Sequence, residues 1–333
     1  MPWENLEPIF RPKGVRMGVM MVDKEKCTGC GLCILNCPFR AWEMGEDKVP
    51  RQKQSYECFS CFNCMVACPV DAISIVENYH VTEGFWRTEP YPLPVKMPRE
   101  PQDAEGNPDK WTPVEQAVFE RRSVRNFKDT PVPEPLIRRV LEAGRFAPTA
   151  GNCQPWKFIV VTNKQLIQEM DEAIFNVLSG VYNMYRDDEL VKGLASTYEA
   201  NPTPGTWDPR LALGGIGAIA RRYAPAFLNA PVVILIAGDT RAISGPEINI
   251  GICGQNMNLV AHSLRLGACW VGFSQVLNML PNMLEKLGVK EPWRICTALV
   301  LGYPKFKQQG VVRREARPVT WFREGSTAPE EES

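Results

Sequence analysis

Eight cysteines fall in two short runs, CTGCGLCILNCP at residues 27–38 and CFSCFNCMVACP at residues 58–69. Both runs are spaced C-x2-C-x2-C-x3-C-P, so Cys27, Cys30, Cys33 and Cys37 correspond one for one to Cys58, Cys61, Cys64 and Cys68. Thiolates this close together serve a metal centre. A single tetrahedral zinc draws two close ligands from each of two separated pairs, whereas three cysteines within seven residues suit three corners of one iron–sulfur cubane. Disulfides are the other use of dense cysteine. Against them, the first residues show no secretory pattern and the remaining cysteines stand in apolar runs, as reduced core thiols do. A reducing, cytoplasmic setting is expected.

Residues 18 to about 80 resemble the bacterial two-cluster ferredoxins, and the doubled motif carries the resemblance. It implies that the fourth cysteine of each run crosses to the other cluster. Cys27, Cys30, Cys33 and Cys68 would then hold one [4Fe-4S] cluster, and Cys58, Cys61, Cys64 and Cys37 the second. Gly29 and Gly31 suit a loop whose amides must approach an inorganic core. A unit of this size has little core of its own, so the clusters are expected to supply much of its stability.

The chain has 333 residues, enough for a second, full-sized domain. Residues 87–110 hold six prolines and no apolar periodicity, which reads as an extended linker. The expected organisation is a ferredoxin-like domain over 18–85, a linker over 86–110, a second domain over 111–325 and a frayed acidic tail over 326–333. Formal net charge is zero, so no basic surface for nucleic acid is implied. The apolar run APVVILIAG is too short to span a bilayer and suits a buried strand.

The second domain opens on a capping box, with Thr112 as N-cap, Pro113 at N1 and Glu115 at N3. EPLIRRVLEAGRF reads as a helix, KFIVVT and VVILIAG as strands, INIGICGQNMNLVAHSLRLG as a helix closed by Gly267, ACWVGF as a turn and CTALVLGYP as a strand. No strand-to-helix turn carries a dinucleotide fingerprint or a P-loop. The segment between Thr162 and Pro231 is expected to be a cap, in which Tyr182, Tyr185, Tyr198 and Trp207 shape a pocket or pack.

RRSVR places three guanidiniums and a hydroxyl within five residues, a donor set suited to a phosphate, although such a run is also common on a solvated surface. APTAGNCQPW adds Asn152 and Gln154 between prolines, suited to a flat polar ring. Together with GACWVGF and LGYP, these motifs resemble the nitroreductase family of FMN oxidoreductases over residues 112–322. The fold expected is α+β, with a central mixed sheet flanked by helices. The resemblance implies that Arg121, Arg122, Ser123 and Arg125 hold the FMN phosphate, ribityl chain or polar ring edge, and that Pro148, Thr149, Asn152 and Gln154 line the isoalloxazine. It further implies that amides at Val271 and Gly272 face the ring, that Lys307, Arg313 or Arg314 closes on the phosphate, and that a homodimer shares each site.

With two histidines, His80 and His262, a hydrolytic triad is not supported. Cys153, Cys253, Cys269 and Cys296 read as packing. The function expected is an electron-fed flavoenzyme. Two [4Fe-4S] clusters pass single electrons to FMN, which reduces a nitro compound, activated alkene, quinone or haloaromatic; the electron source is a one-electron donor such as ferredoxin, or NAD(P)H. The alternatives are a relay to a protein partner and a redox sensor without turnover.

Overall fold

A computed structural model describes residues 15–53, 58–82, 97–184, 189, 196, 215–307, 311–312, 314 and 318–332. In the N-terminal unit, β1 (Val15–Arg16) pairs with β6 (His80–Val81), β2 (Val19–Val22) with β5 (Ile73–Glu77) and β3 (Trp42–Met44) with β4 (Pro50–Gln52). Two short helices, α1 (Leu32–Leu35) and α2 (Asn63–Ala67), each carry the third cysteine of a run. The sequence repeat is thus also a structural one. Gly29 and Gly31 are left-handed, and so are their counterparts Ser60 (φ 52°) and Phe62 (φ 59°), which adopt the same turn without glycine's freedom.

The second unit begins as the capping box requires. Thr112 N–H donates to the Glu115 carboxylate at 2.7 Å, and Glu115 N–H to the Thr112 hydroxyl at 3.3 Å, opening α3 (Pro113–Glu120). Then follow α4 (Glu134–Arg145), β7 (Trp156–Val161), α5 (Lys164–Met184), α6 (Gly217–Ala220), β8 (Val232–Asp239), α7 (Pro246–Ser263) and β9 (Gly267–Val271). A 3-10 stretch over Gly272–Met279 leads to α8 (Pro281–Lys286), β10 (Trp293–Gly302), β11 (Val319–Trp321) and β12 (Glu330–Glu332).

The central sheet has the order β7-β8-β10-β9 with every pair antiparallel; its parallel component is one bridge, Ser123 to Ala268. Its β8 strand is buried on both faces and alternates with period two. Val233 and Leu235 face Met170, Ile174 and Leu178 of α5, while Val232, Ile234 and Ile236 face Ile137 of α4 and Ile250 and Met257 of α7. A Cβ on Gly144 would stand 2.8 Å from Met257, so glycine sets how closely α4 and α7 pack. Met17 and Tyr79 of the N-terminal unit are buried in the same core as Ile174 and Leu277, so the two units share packing.

Several expectations need correction. Helix α7 ends at Ser263, followed by Arg265 in the left-handed region (φ 60°). Gly267 does not close it but starts β9, where a Cβ would meet Val124 at 2.7 Å. In ACWVGF the residues ACWV are strand rather than turn, because they pair with β10 at the edge of the sheet, and only Gly272 and Phe273 leave it for the 3-10 stretch. The expected cap contains the 21-residue helix α5, and of the two readings of Tyr182 packing holds, since it is buried in the core. Tyr185, Tyr198 and Trp207 lie outside the described residues. The acidic end is not frayed: β12 pairs with β11, and the Glu332 carboxylate bonds to Arg99 and to Trp321.

Candidate functional site

Cys27, Cys30, Cys33 and Cys68 line one small cavity, so the structure brings together three cysteines of the first run and the last of the second. The complementary four also meet. Cys37 lies within electrostatic range of Cys61, Cys58 of Cys61 and Cys37, and Cys64 of Cys61, Cys58 and Cys37, with Cys33 as a further neighbour. None of the twelve cysteines is in a disulfide. Among the described residues no three His, Cys, Asp or Glu side chains close on a single ion. Thiols spread around a cubane stand farther apart than ligands of one zinc, so the donor set fits a cluster better than an ion.

The buried thiols Cys33, Cys37, Cys58 and Cys64 are not thiolates by their own environment. Burial pushes Cys33 up to about 11, with Cys30 and Cys68 adding to the rise, and pushes Cys58 up to about 12. Cys37 and Cys64 are raised by burial as well. These four desolvated sulfurs require a cationic centre to ionise them, which iron supplies. Each fourth cysteine accepts a backbone N–H: Ala41 donates to Cys37 Sγ at 3.3 Å and Ala72 to Cys68 Sγ at 3.2 Å.

The arginine motif lies along the edge of the sheet. Val124 N–H donates to the Ala268 carbonyl at 2.9 Å, which holds residues 123–125 beside β9. Arg122 is buried; its Nη1 donates to the carbonyls of Phe119 and Arg121. Its Nε and Nη2, and Nε of Arg121, are buried donors without a hydrogen-bond partner. Burial, then Arg121 and Arg314, lowers Arg122 to about 10; burial and Arg314 lower Arg121 too. Converging guanidiniums with unused donors suit a phosphate dianion. Lys307 is exposed, while Arg314 is the basic residue that approaches the pair; Arg313 lies outside the described residues. Ser123 and Arg125 flank Cys269 of β9, and Arg125 donates to the Ser123 carbonyl at 3.3 Å. Farther along that strand Val271 is buried, and open space lies over Gly272, where a flat ring can approach the backbone.

Pro148, Thr149, Asn152 and Gln154 form a shaped but exposed or half-exposed loop. Gly151, Asn152 (φ 52°) and Gln154 (φ 46°) are all left-handed, Gln154 N–H donates to Thr149 Oγ1 at 3.1 Å, and Gln154 Nε2 to Asn152 Oδ1 at 3.2 Å. Backbone strain of this kind gathers at binding loops. Within one chain, however, this loop and the arginines do not meet. The loop precedes Trp156, which is in register with Gly238 and Arg294 at one end of the sheet; Ser123 bridges Ala268, in register with Leu301 at the other. At about 3.3 Å per residue and 4.8 Å per strand, the two are roughly 25–30 Å apart.

The sequence description "nitroreductase family" matches residues 118–303, more than half of the chain. The chain belongs to the nitroreductase family. Residues 19–69 match a 4Fe-4S dicluster domain. The chloronitrobenzene nitroreductase of Comamonas testosteroni is 25% identical over 208 residues, covering 57% of this chain and 86% of that protein. The ferredoxin of Methanothermococcus thermolithotrophicus is 38% identical over 58 residues, covering 17% of this chain and 95% of the ferredoxin. Among solved structures, a nitroreductase with bound FMN from Desulfitobacterium hafniense is 24% identical, covers 61% of this chain and 95% of its own, and superposes with a TM-score of 0.46.

The dicluster domain is fastened to the nitroreductase domain on the Cys37 side. Arg40 Nη2 donates to the Tyr223 carbonyl at 3.2 Å, with its guanidinium 4.8 Å from the Tyr223 ring centre; Asn126 Nδ2 donates to the Leu35 carbonyl at 3.4 Å. Between them lies a cavity of about 370 Å³ whose wall includes both Cys37 and Arg125. Arg40, Asn126 and Tyr223 carry no motif, and nothing in the second domain's sequence points to this seam. Cys253, Cys269 and Cys296 are buried, but Cys153 is exposed on the strained loop and does not pack. His262 is half-buried and held below its ordinary range first by desolvation, and Nδ1 of His80 contacts the Asn78 carbonyl.

Proposed function

We propose that this nitroreductase is an iron–sulfur-fed FMN oxidoreductase that reduces a small organic acceptor. Its cofactors are FMN and two [4Fe-4S] clusters. The observation that carries the reading is the cavity shared by Cys37 and Arg125, which puts one cysteine set against the arginine arm of the other domain. Cys27, Cys30, Cys33 and Cys68 hold one cluster, and Cys37, Cys58, Cys61 and Cys64 the other. Arg121, Arg122 and Arg314 bind the FMN phosphate, Ser123 and Arg125 orient the remainder, and Gly272 leaves room for the ring. Bound FMN supplies the hydride or one-electron chemistry, and the chain supplies position and potential.

The loop holding Pro148, Thr149, Asn152 and Gln154 serves the site of a second copy, since the span within one chain is too great for one flavin. Exposed Ile248 and Ile252 stand one turn apart on α7, with Ile243 just before it, and form an apolar face suited to that homodimer. Among the described residues no helix is long and apolar enough to cross a membrane. A cytoplasmic location follows from the demand for reduced thiolates.

The acceptor belongs to the class of nitro compounds, activated alkenes, quinones and haloaromatics. Anaerobic isolation with iron and flavin analysis, followed by an acceptor panel driven in parallel by reduced ferredoxin, NADH and NADPH, tests the reading. About eight irons and one FMN per chain with acceptor turnover support it; an iron-free, zinc-bearing protein of full activity overturns it.

A further inference from the structure

The two halves of the dicluster domain share a backbone but not their charges. Ala41 and Ala72 make matching N–H bonds to Cys37 and Cys68, and the residue before each alanine is left-handed in both halves, Arg40 at φ 52° and Asp71 at φ 49°. The strands that follow pair alike, Trp42 with Gln52 and Ile73 with Val22. The residue after each partner is therefore equivalent as well. Lys53 N–H donates to the Ala41 carbonyl at 3.0 Å, and Asp23 N–H to the Ala72 carbonyl at 2.8 Å. At both equivalent positions the Cys37 side carries a cation and the Cys68 side an anion.

The surrounding walls sharpen the difference. The cavity beside Cys37 is lined by Arg40, Lys53 and Arg125 and by no carboxylate. The cavity lined by Cys27, Cys30, Cys33 and Cys68 has no charged residue in its wall. Asp23 is ionised, its carboxylate stabilised by hydrogen bonds from Lys26, whose ammonium at 3.4 Å offsets part of the charge.

Reducing a cluster by one electron adds one negative charge to iron and thiolates, with no bond made or broken. Cations nearby favour the added charge and anions oppose it. The N–H···S bonds to Cys37 and Cys68 match in the two halves, so that pair of bonds creates no difference, whereas the side-chain charges can.

We propose that the two clusters are unequal in potential: the cluster of Cys37, Cys58, Cys61 and Cys64, flanked by Arg40 and Lys53, is the higher and faces the flavin domain. Electrons from a one-electron iron–sulfur donor accordingly enter at the Cys27, Cys30, Cys33 and Cys68 set, move to the Cys37 set and leave across the Arg40–Tyr223 seam. This rests on the iron–sulfur reading above. Each transfer oxidises one centre and reduces the next by one electron, with no proton required.

The test is a redox titration of the full chain, isolated anaerobically and followed by electron paramagnetic resonance. Two one-electron transitions are expected, and Cys68→Ser should remove the lower one. Arg40→Gln and Lys53→Gln should each lower the upper transition by up to about tenfold in its equilibrium, which is 59 mV for one electron, and leave the lower in place. Arg40→Lys should keep the upper transition where it is, because charge rather than the Tyr223 bond sets it. Asp71→Asn should raise the lower transition. Coincident wild-type potentials, or variants that move the wrong transition, both or neither, overturn the unequal-cluster proposal while leaving the iron–sulfur reading intact. Fewer than two clusters in the wild-type protein overturns both.

Discussion

Cys37 and Arg125 share the wall of one cavity although they belong to different domains. The cysteine set containing Cys37 is therefore the one that can serve the arginine arm. Cys61→Ser and Cys64→Ser should leave FMN bound, and the chemically reduced flavin should still react with acceptors, but turnover from reduced ferredoxin should vanish. Ferredoxin-driven turnover at wild-type rate in a variant that lacks this cluster would separate the clusters from the reaction.

The ligand sets cross between runs, because Cys68 lies in the cavity of Cys27, Cys30 and Cys33. Cys68→Ser should cost the cluster of the first run and spare the one built mainly by its own neighbours. Iron analysis with resonance spectra distinguishes the two. Loss confined to the Cys58, Cys61 and Cys64 cluster would contradict the crossing.

Arg122 brings buried, unpartnered guanidinium donors to the phosphate position. Arg122→Ala should weaken FMN by about 1.5–3 kcal/mol, roughly ten- to a hundredfold in Kd, the range for a charged hydrogen bond. Riboflavin, lacking the phosphate, should bind the wild type poorly and be little affected. Fluorescence titration of both ligands checks this, and equal losses would place the phosphate elsewhere.

Ile248 and Ile252 expose apolar surface on α7 that a dimer would cover. Ile248→Asp combined with Ile252→Asp should shift the protein from dimer to monomer in sedimentation experiments. Flavin should be lost in parallel, because the loop around Asn152 then comes from no partner. A monomer with full flavin content would show that one chain builds the site alone.

Burial raises Asp171 from 3.8 to about 6, against the backbone N–H bonds from Phe227 and Ala226 that favour its ionised form. A raised carboxyl makes the folded state the stronger proton binder between those values, so its contribution to stability falls as pH rises from about 4 to 6 and stays low above. Asp171→Asn should remove that slope. The melting temperature of the variant relative to wild type should climb across this window and level off beyond it; a difference independent of pH would show that the carboxyl is not buried as charged.

What the chain order determined is what lies within a few residues of itself. The spacing of eight cysteines, the Thr112–Glu115 capping box, the continuous apolar strand VVILIAG and the cluster of guanidiniums at 121–125 are local patterns, and the capping box and the strand formed as those patterns require. The 21-residue helix α5 also had its signal, apolar residues at 167, 170, 174 and 178, although glycines and prolines farther along the segment suggested a cap. The rest needed the tertiary structure. Which end of the sheet carries the arginines and which the Asn152 loop depends on strand register, a long-range choice set by burying both faces of β8. The Arg40–Tyr223 seam joins side chains that have no motif, and only the packing of Met17 and Tyr79 into the larger core brings them together. The opposed charges of Arg40 and Asp71 were present in CPFR and CPVD all along, yet they acquire meaning only when matched backbones place each beside a different set of thiols.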